Sequence, residues 1–113
     1  MGKPMFNFSN VQEVDASSLH EMLTQDGNGV KIIDVRMPAE VARGAIPGAE
    51  HIPLNALTAQ RDRIPEDRRV VFYCRSGARS AQACAYFGSL GLDNVYNLRG
   101  GIMAWVQEGK TVA

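Results

Sequence analysis

The stretch VVFYCRSGARS, residues 70–80, decides how this 113-residue chain is expected to fold. It opens with an unbroken apolar run, Val70 to Tyr73, which is typical of a strand covered on both faces of a parallel sheet. Helical spacing follows from Ser80 to Leu90 in an alanine-rich segment that ends next to a glycine. The stretch therefore predicts a strand, a short polar loop and a helix, with Cys74 at the carboxyl end of the strand.

The loop from Cys74 to Arg79 has the composition of an anion-binding turn. Loops at the carboxyl ends of parallel strands carry ligand chemistry, and the following helix directs its free N–H groups and positive dipole end at the loop. Gly77 allows successive N–H groups to converge, and Arg75 and Arg79 add charge. Such surroundings depress a cysteine pKa from about 8.5 to roughly 3.5–7.5. Cys74 is therefore predicted to be a nucleophile near neutral pH, the alternative being a small buried structural cysteine.

The composition is that of one ordinary globular domain. Hydrophobic residues make up 45% and charged residues 21%, and twelve basic residues balance twelve acidic ones. This balance predicts neither a nucleic-acid partner nor a membrane partner. No apolar run approaches the roughly 18–20 residues of a membrane span, and the first ten residues lack the apolar segment of a secretory signal. We expect a cytoplasmic protein with a flexible lead-in at residues 1–9 and a single domain at residues 10–113.

Strands and helices alternate along the rest of the chain. This order predicts an α/β domain with a mainly parallel sheet of about five strands and helices on both faces. Besides the central stretch, the expected elements are a short edge strand within Asn10–Val14, a helix capped by Asp15 or Ser17 and ending at Gly27–Gly29, a strand at Lys31–Arg36, a short helix starting near Pro38, a short strand at Glu50–Ile52, a small helix at Leu54–Gln60, a strand at Asn94–Leu98, and a helix at Ile102–Gln107 anchored by Trp105.

Four side chains in and beside the loop could support its chemistry. Asp34 and Arg36 leave the carboxyl end of their strand, which is the active edge of a parallel sheet. The simpler interpretation of Arg36 is an ion pair with Glu40 one helical turn later. Ser76 and Ser80 could add hydroxyl donors, although Ser80 as the N-terminal cap of the helix is the plainer interpretation.

The remaining reactive side chains are single and scattered. His51 could be cast as a general base for Cys74, but a thiolate stabilised by backbone amides needs none, and exposure to solvent or contact with a structural partner is the simpler expectation. Cys84 belongs to a small-residue helix face, more than one turn inside the helix, where it is poorly placed to resolve a disulfide with Cys74. No metal-ligand spacing is present, so neither a metal nor another cofactor is predicted.

Cys-Arg-Ser-Gly-Ala-Arg-Ser after Val-Val-Phe-Tyr resembles the active-site loop of single-domain rhodanese-family sulfurtransferases. The resemblance extends over roughly residues 10–110 and includes IIDVR at 32–36, AIPGAEHIPL at 45–54 and VYNLRGGIMAW at 95–105. The family often has an aromatic residue where Val41 stands and a histidine where Ala45 stands. The resemblance implies a rhodanese-like fold.

The resemblance also implies a sulfurtransferase that moves a sulfane sulfur through a Cys74 persulfide. The donor would be a small anion, thiosulfate or a persulfide, and the acceptor cyanide or a thiol. Cys74 would be the catalytic residue. The loop residues Arg75, Ser76, Gly77, Ala78 and Arg79 would bind the substrate, and Ser80, Asp34 and Arg36 would give support.

Two other functions use the same residues. The first is a sulfur-relay or carrier protein, or a binding module, without independent turnover. The second is a cysteine-dependent phosphatase or arsenate reductase, whose loop has five residues between the cysteine and the arginine. Here only four residues separate Cys74 from Arg79, which suits a single sulfur atom better than a tetrahedral oxyanion. The sequence leaves open the physiological donor and acceptor and the oligomeric state.

Overall fold

The computed structural model describes residues 10–113, so the lead-in expected at residues 1–9 lies outside the described residues. Short 3₁₀ turns at Gly27–Gly29, Leu54–Ala56 and Arg61–Arg63 join the main elements. In chain order these are β1 (Glu13–Val14), α1 (Ala16–Asp26), β2 (Val30–Asp34), α2 (Pro38–Val41), β3 (Glu50–His51), β4 (Arg69–Tyr73), α3 (Ala78–Ser89), β5 (Val95–Leu98) and α4 (Gly101–Gln107).

All five strands form one parallel sheet in the order β1-β5-β4-β2-β3, which confirms the predicted fold class. The stretch that begins at β4 therefore lies in the middle of the sheet. In the register, Asp34 at the end of β2 is the partner of both Tyr73 and His51. Because parallel strands end at the same edge, the segments after β2 and β4 leave the sheet side by side.

Alternating side chains of β4 pack into separate cores on the two faces of the sheet. Val70 and Phe72 point toward α3, where the Phe72 ring stacks on Phe87 with centroids 5.5 Å apart. Val71 and Tyr73 point to the other face, which is covered by α1 and α4. This period-two alternation, with both faces buried, explains why the strand reads as a continuous apolar run.

Several element ends differ from the predicted ones, and a side-chain hydrogen bond explains one of them. β2 ends at Asp34 because its carboxylate accepts a hydrogen bond from the Arg36 amide at 3.0 Å and turns the chain. α1 begins where expected, with the Asp15 carboxylate accepting from the Ser18 amide at 2.7 Å. The helix expected at residues 54–60 is only the 3₁₀ turn Leu54–Ala56.

A buried polar cluster joins the end of β4 to the end of β2. The Tyr73 hydroxyl donates to Asp34 Oδ2 at 2.6 Å and accepts from the Ile46 amide at 3.0 Å. Tyr73, Asp34 and Ile46 are all buried. Burial and the neighbouring carboxylate raise the pKa of Tyr73, so the hydroxyl keeps its proton and remains a donor.

Within residues 10–113, no helix has the length and apolar character needed to cross a membrane.

We expect Tyr73→Phe to lower the free energy of unfolding by about 1–3 kcal/mol, because it leaves the buried Ile46 amide without its acceptor. Urea denaturation measures the change. Tyr96→Phe is the control and should shift stability by less than about 0.5 kcal/mol, since within residues 10–113 no side-chain hydrogen bond involves that hydroxyl. Equal stability of the Tyr73 variant and the wild type would contradict the role of this cluster.

Candidate active site

The sulfur of Cys74 lies at the base of the loop that follows β4. The residue is 1% exposed, whereas Arg75, Ser76 and Ala78 of the same loop are exposed. The Gly77 amide donates a hydrogen bond to Cys74 Sγ at 3.1 Å. The sulfur is thus almost fully buried beneath its own loop.

The N-terminus of α4 holds the loop from the side opposite the sulfur. The amides of Ile102 and Met103 donate to the carbonyl oxygens of Cys74 and Arg75 at 2.9 and 3.1 Å. In a planar trans peptide the carbonyl and the next N–H point in opposite directions, so the N–H groups that follow these two carbonyls are directed away from α4. Gly101 makes this approach possible, because a Cβ atom there would lie 2.4 Å from the Arg75 carbonyl oxygen.

A second set of contacts fixes the turn at Gly77, where φ is 104° and α3 begins at the next residue. The Asn97 side-chain amide donates to the Gly77 carbonyl at 3.1 Å, and Asn97 Oδ1 accepts from the Ser80 hydroxyl at 2.6 Å. Sequence reasoning did not assign Asn97 a role. The sequence does contain a sign of such a role, because Asn97 places a carboxamide inside the apolar strand Val95–Leu98. A buried carboxamide must find hydrogen-bond partners.

Ser80 is not the cap of α3, contrary to the plainer interpretation of the sequence. Gly77 occupies the cap position, so Ser80 is the third residue of the helix and is buried with its hydroxyl 3.4 Å from Cys74 Sγ. The hydroxyl has one proton, and Asn97 Oδ1 is the closer of its two acceptors. Ser80 can therefore help a thiolate only when that proton turns from Asn97 to the sulfur.

Opposing effects set the pKa of Cys74. Burial raises it, whereas hydrogen bonds from the Ser80 hydroxyl, when its proton turns to the sulfur, and from the amides of Ser80, Gly77 and Ser76 lower it. The hydrogen bonds outweigh burial, and the pKa lies below the ordinary value of a thiol. The loop thus favours the thiolate, which is the nucleophilic form of cysteine.

Arg79 links the loop to α2. Its guanidinium binds both carboxylate oxygens of Glu40, with distances of 2.7 and 2.8 Å. This pairing lowers the pKa of Glu40 to about 2, and the same ion pair raises the pKa of Arg79. Arg79 also interacts electrostatically with Cys74, which adds to the rise in its pKa. Arg75, in contrast, makes no ion pair with any residue in the described range 10–113.

The predicted ion pair between Arg36 and Glu40 is wrong. Arg36 binds the Asp34 carboxylate, with Nη2 2.7 Å from Oδ2, and reaches Glu40 only at its backbone carbonyl. Asp34 lies only two residues before Arg36 and is buried, so it outcompetes the partly exposed Glu40 carboxylate that Arg79 occupies. Arg36 also donates to the Gly44 carbonyl at 2.7 Å. Asp34 and Arg36 therefore fasten the segment that carries Glu40.

Sequence comparison places the chain in a family. A profile of the rhodanese-like domain matches residues 15–108. This protein belongs to the rhodanese family. It is 50% identical over 99 residues to a sulfurtransferase of Allochromatium vinosum, covering 88% of this chain and 92% of that one. It is 35% identical over 78 residues to the thiosulfate sulfurtransferase GlpE of Pseudomonas paraeruginosa, covering 69% and 71% of the two chains.

Solved structures share the rhodanese fold. A rhodanese-related protein of Thermoplasma volcanium superposes with a TM-score of 0.82 and 30% identity, covering 90% of this chain and 97% of that one. A Rhodopseudomonas palustris protein of unknown function, described as a candidate tyrosine phosphatase, superposes with a TM-score of 0.85 and 25% identity, covering 100% and 98%.

The other candidate side chains of this rhodanese-family protein lie apart from the loop contacts described above. His51 Nε2 is 2.6 Å from the Arg36 carbonyl oxygen, which can only accept, so this nitrogen carries a proton. Cys84 lies on the buried face of α3, and burial raises its pKa to about 12. Within residues 10–113, no three histidine, cysteine, aspartate or glutamate side chains are grouped so as to hold a metal ion.

We expect Arg79→Ala to slow alkylation of Cys74 at neutral pH by roughly two- to fivefold, because loss of a nearby positive charge raises the thiol pKa. The effect is modest since the Arg79 side chain is 34% exposed and partly screened by solvent. Iodoacetamide rates measured against pH in a Cys84→Ser background give the pKa directly.

Glu40→Gln is the matched variant with the opposite expected sign. It removes the negative charge that offsets Arg79, so alkylation should be as fast as in the parent or faster. If Glu40→Gln slows the reaction as much as Arg79→Ala, the ion pair acts by holding the shape of the loop and the electrostatic explanation is wrong.

Proposed function

We propose that this protein transfers a sulfane sulfur from thiosulfate or a persulfide to cyanide or a thiol through a persulfide on Cys74. Its membership of the rhodanese family and its similarity to sulfurtransferases support transfer of sulfur in general. The observation that carries the proposal is the hydrogen bond from the Gly77 amide to Cys74 Sγ at 3.1 Å inside a loop with four residues between Cys74 and Arg79.

The first step uses the Cys74 thiolate as the nucleophile. Sγ attacks the outer sulfur of thiosulfate, the sulfur–sulfur bond of the donor breaks, and sulfite leaves with the bonding electron pair. The product is a cysteine persulfide whose terminal sulfur is anionic. The amides of residues 75–79 would hold that sulfur, and the guanidinium groups of Arg75 and Arg79 would attract the anionic donor.

The second step returns the enzyme to its starting state. Cyanide or a thiolate attacks the terminal sulfur of the persulfide, the bond to Sγ breaks, and Cys74 leaves as the thiolate. The products are thiocyanate or a new persulfide. Stabilisation of the Cys74 thiolate therefore helps both steps, since that thiolate is the nucleophile of the first and the leaving group of the second.

The proposed roles of the other site residues follow from their contacts. The Ser80 hydroxyl would turn its proton toward the sulfur of Cys74. Asn97 would hold the turn at Gly77 through its hydrogen bond to the Gly77 carbonyl. Asp34 and Arg36 would act indirectly, by fastening the segment that presents Glu40 to Arg79. A reducing cytoplasmic setting suits a free working thiol, and the catalytic unit would comprise residues 10–113.

Two alternatives share this geometry. A sulfur carrier would form the same persulfide and pass it to a partner protein, so it differs only in the acceptor. A phosphatase has support from the similarity to the Rhodopseudomonas palustris protein. Phosphoryl transfer needs room for three equatorial oxygens, and a loop with one residue fewer offers a smaller ring and one fewer amide donor. We therefore favour sulfur as the transferred atom.

Mass spectrometry of the intact protein tests the proposal. Thiosulfate treatment should add one sulfur atom, and cyanide should remove it and release thiocyanate. Cys74→Ser should abolish the addition, whereas the matched Cys84→Ser variant should retain it. Failure to gain sulfur, together with hydrolysis of phenyl phosphate that depends on Cys74, would overturn the proposal in favour of the phosphatase.

A further inference from the structure

Ser80 and Asn97 form a buried, hydrogen-bonded pair of polar side chains next to Cys74. Ser80 is 0% exposed and Asn97 is 3% exposed. Within residues 10–113, the other buried polar or charged side chains are Asp34 and Arg36, which bind each other. A buried hydroxyl or carboxamide costs free energy unless its groups find partners. The partners of Ser80 and Asn97 therefore show what the pair does beside the sulfur.

The orientation of the Asn97 carboxamide is fixed by the Gly77 carbonyl oxygen. That oxygen can only accept, so the group 3.1 Å from it is the amide nitrogen Nδ2, and Oδ1 faces Ser80. The backbone of Asn97 is also held on both sides, because β5 lies between β1 and β4 and pairs Asn97 with Glu13 and Phe72. Asn97 Oδ1 is thus a fixed acceptor for the Ser80 hydroxyl.

Asn97 and Cys74 compete for the single proton of the Ser80 hydroxyl. Ser80 Oγ is 2.6 Å from Asn97 Oδ1 and 3.4 Å from Cys74 Sγ, so a rotation of the hydroxyl moves the proton from one acceptor to the other. A neutral sulfur is a weak acceptor, which leaves the proton with Asn97. A thiolate accepts a charge-assisted bond, roughly twice as strong as a neutral one, and draws the proton to itself.

We propose that Asn97 is a positioning residue that holds the Ser80 hydroxyl while the sulfur of Cys74 is neutral and releases it when that sulfur is charged. The part of this inference that concerns the persulfide rests on the proposed function. In the persulfide, Sγ is bonded to carbon and to the terminal sulfur, so it is neutral and again a weak acceptor. The hydroxyl then returns to Asn97, and it turns to Sγ once more when the bond to the terminal sulfur breaks.

This arrangement gives the buried hydroxyl a partner in every state of the sulfur. Without Asn97, the hydroxyl of Ser80 would lack a good acceptor in the persulfide, and that state would be destabilised. By the same competition, Asn97 weakens the support that Ser80 gives to the thiolate. The hydroxyl keeps its proton throughout, so only the direction of a hydrogen bond changes and no further reagent is needed.

Other titratable groups lie on the elements around Cys74, and the substitutions used below leave them in place. They are Arg75 in the loop, Arg79 and Cys84 on α3, Glu40 on α2, and Tyr73, Asp34 and Arg36 at the ends of β4 and β2. The helix α4 carries none. Arg79 binds Glu40, and Arg36 binds Asp34. Burial raises the pKa of Tyr73 and of Cys84, so both stay protonated while Cys74 titrates.

The side-chain carbonyl carbon of Asn97 reports the hydroxyl, because it loses a hydrogen bond when the proton turns to the sulfur. In the wild-type protein its ¹³C resonance, followed against pH, should move with the same midpoint as the ionisation of Cys74. Most of that movement should vanish in Ser80→Ala, although Cys74 still titrates there. A movement of equal size in Ser80→Ala would come from the charge of the sulfur alone and would overturn the proposal.

Asn94 is the matched control for this measurement. It is the carboxamide that precedes β5, and its side chain donates to the carbonyl oxygens of Pro65 and Arg68, both at 2.8 Å. Its ¹³C resonance should stay constant over the pH range in which Cys74 ionises. Equal movement at Asn94 and Asn97 would show a general effect of pH and would contradict a role specific to Asn97.

A double-mutant cycle separates the competition from the support that Asn97 gives to Gly77. Iodoacetamide rates against pH, in a Cys84→Ser background, give the pKa of Cys74. Ser80→Ala should raise that pKa by about 0.5 when Asn97 is present and by about 1 in Asn97→Leu, where the sulfur has no competitor. The lost bond to Gly77 is common to both Asn97→Leu proteins and cancels.

Equal effects of Ser80→Ala in the two backgrounds would mean that Asn97 only supports the turn, and the proposal would be wrong. If Asn97→Leu does not fold, the resonance measurement decides, because it leaves Asn97 in place.

Loading with thiosulfate tests the persulfide part. Above the pKa of Cys74, thiosulfate should return the Asn97 resonance to its position in the thiol form, and cyanide should reverse the change. If mass spectrometry shows the added sulfur and the resonance does not move, Asn97 does not take the hydroxyl in the persulfide and this part is overturned. If thiosulfate adds no sulfur, the proposed function fails, whereas the pH titration still decides the role of Asn97.

Discussion

The hydrogen bond from the Gly77 amide to Cys74 Sγ is the contact on which the rest of the site depends. A thiol that is 1% exposed would ordinarily resist ionisation, because burial disfavours the charged form. The loop compensates by supplying amide and hydroxyl donors in the place of water, and the pKa of Cys74 is lowered as a result. The amides keep this orientation because the first amides of α4 donate hydrogen bonds to the carbonyl oxygens of Cys74 and Arg75 on the opposite side of the loop.

The rest of the fold brings these groups to one edge of the sheet. β4 ends at the middle of that edge, and the Tyr73–Asp34 hydrogen bond joins it to the end of β2. Arg36 then secures the segment that carries Glu40, and Glu40 holds Arg79. A chain of buried and partly buried polar contacts thus connects the core of the sheet to Arg79, the charge that interacts with the sulfur. Such contacts specify position more than they add stability, since each must offset the desolvation of its own groups.

The sequence was informative wherever local pattern and chain topology agreed. The apolar run at residues 70–73 and the return of helical spacing after it predicted the central strand, the loop and the helix, and with the other segments the parallel five-stranded sheet. Cys74 at the strand end and the turn at Gly77 followed from the same stretch. What could not be predicted was the pairing of side chains that are distant in sequence.

Glu40 illustrates that limit. Helical spacing predicted Arg36 as the partner of Glu40. In the folded protein Glu40 instead pairs with Arg79, which is 39 positions away in the sequence, and Arg36 pairs with Asp34. Asn97 and the amides of α4 were missed for the same reason, since no local pattern shows that they reach the loop. Ser80 looked like a helix cap because the φ of Gly77, which moves the start of α3, is invisible in the sequence.

The central claim is that the loop ionises a buried sulfur. Titration of thiolate ultraviolet absorbance in the folded wild type, Cys74→Ser and Cys84→Ser tests it most directly. We predict a Cys74 thiolate that appears below the ordinary thiol pKa of about 8.5 and disappears in Cys74→Ser, with Cys84 ionising only near 12. A Cys74 that titrates at or above the ordinary thiol pKa in the folded protein would contradict the account, because the loop donors would then fail to offset burial.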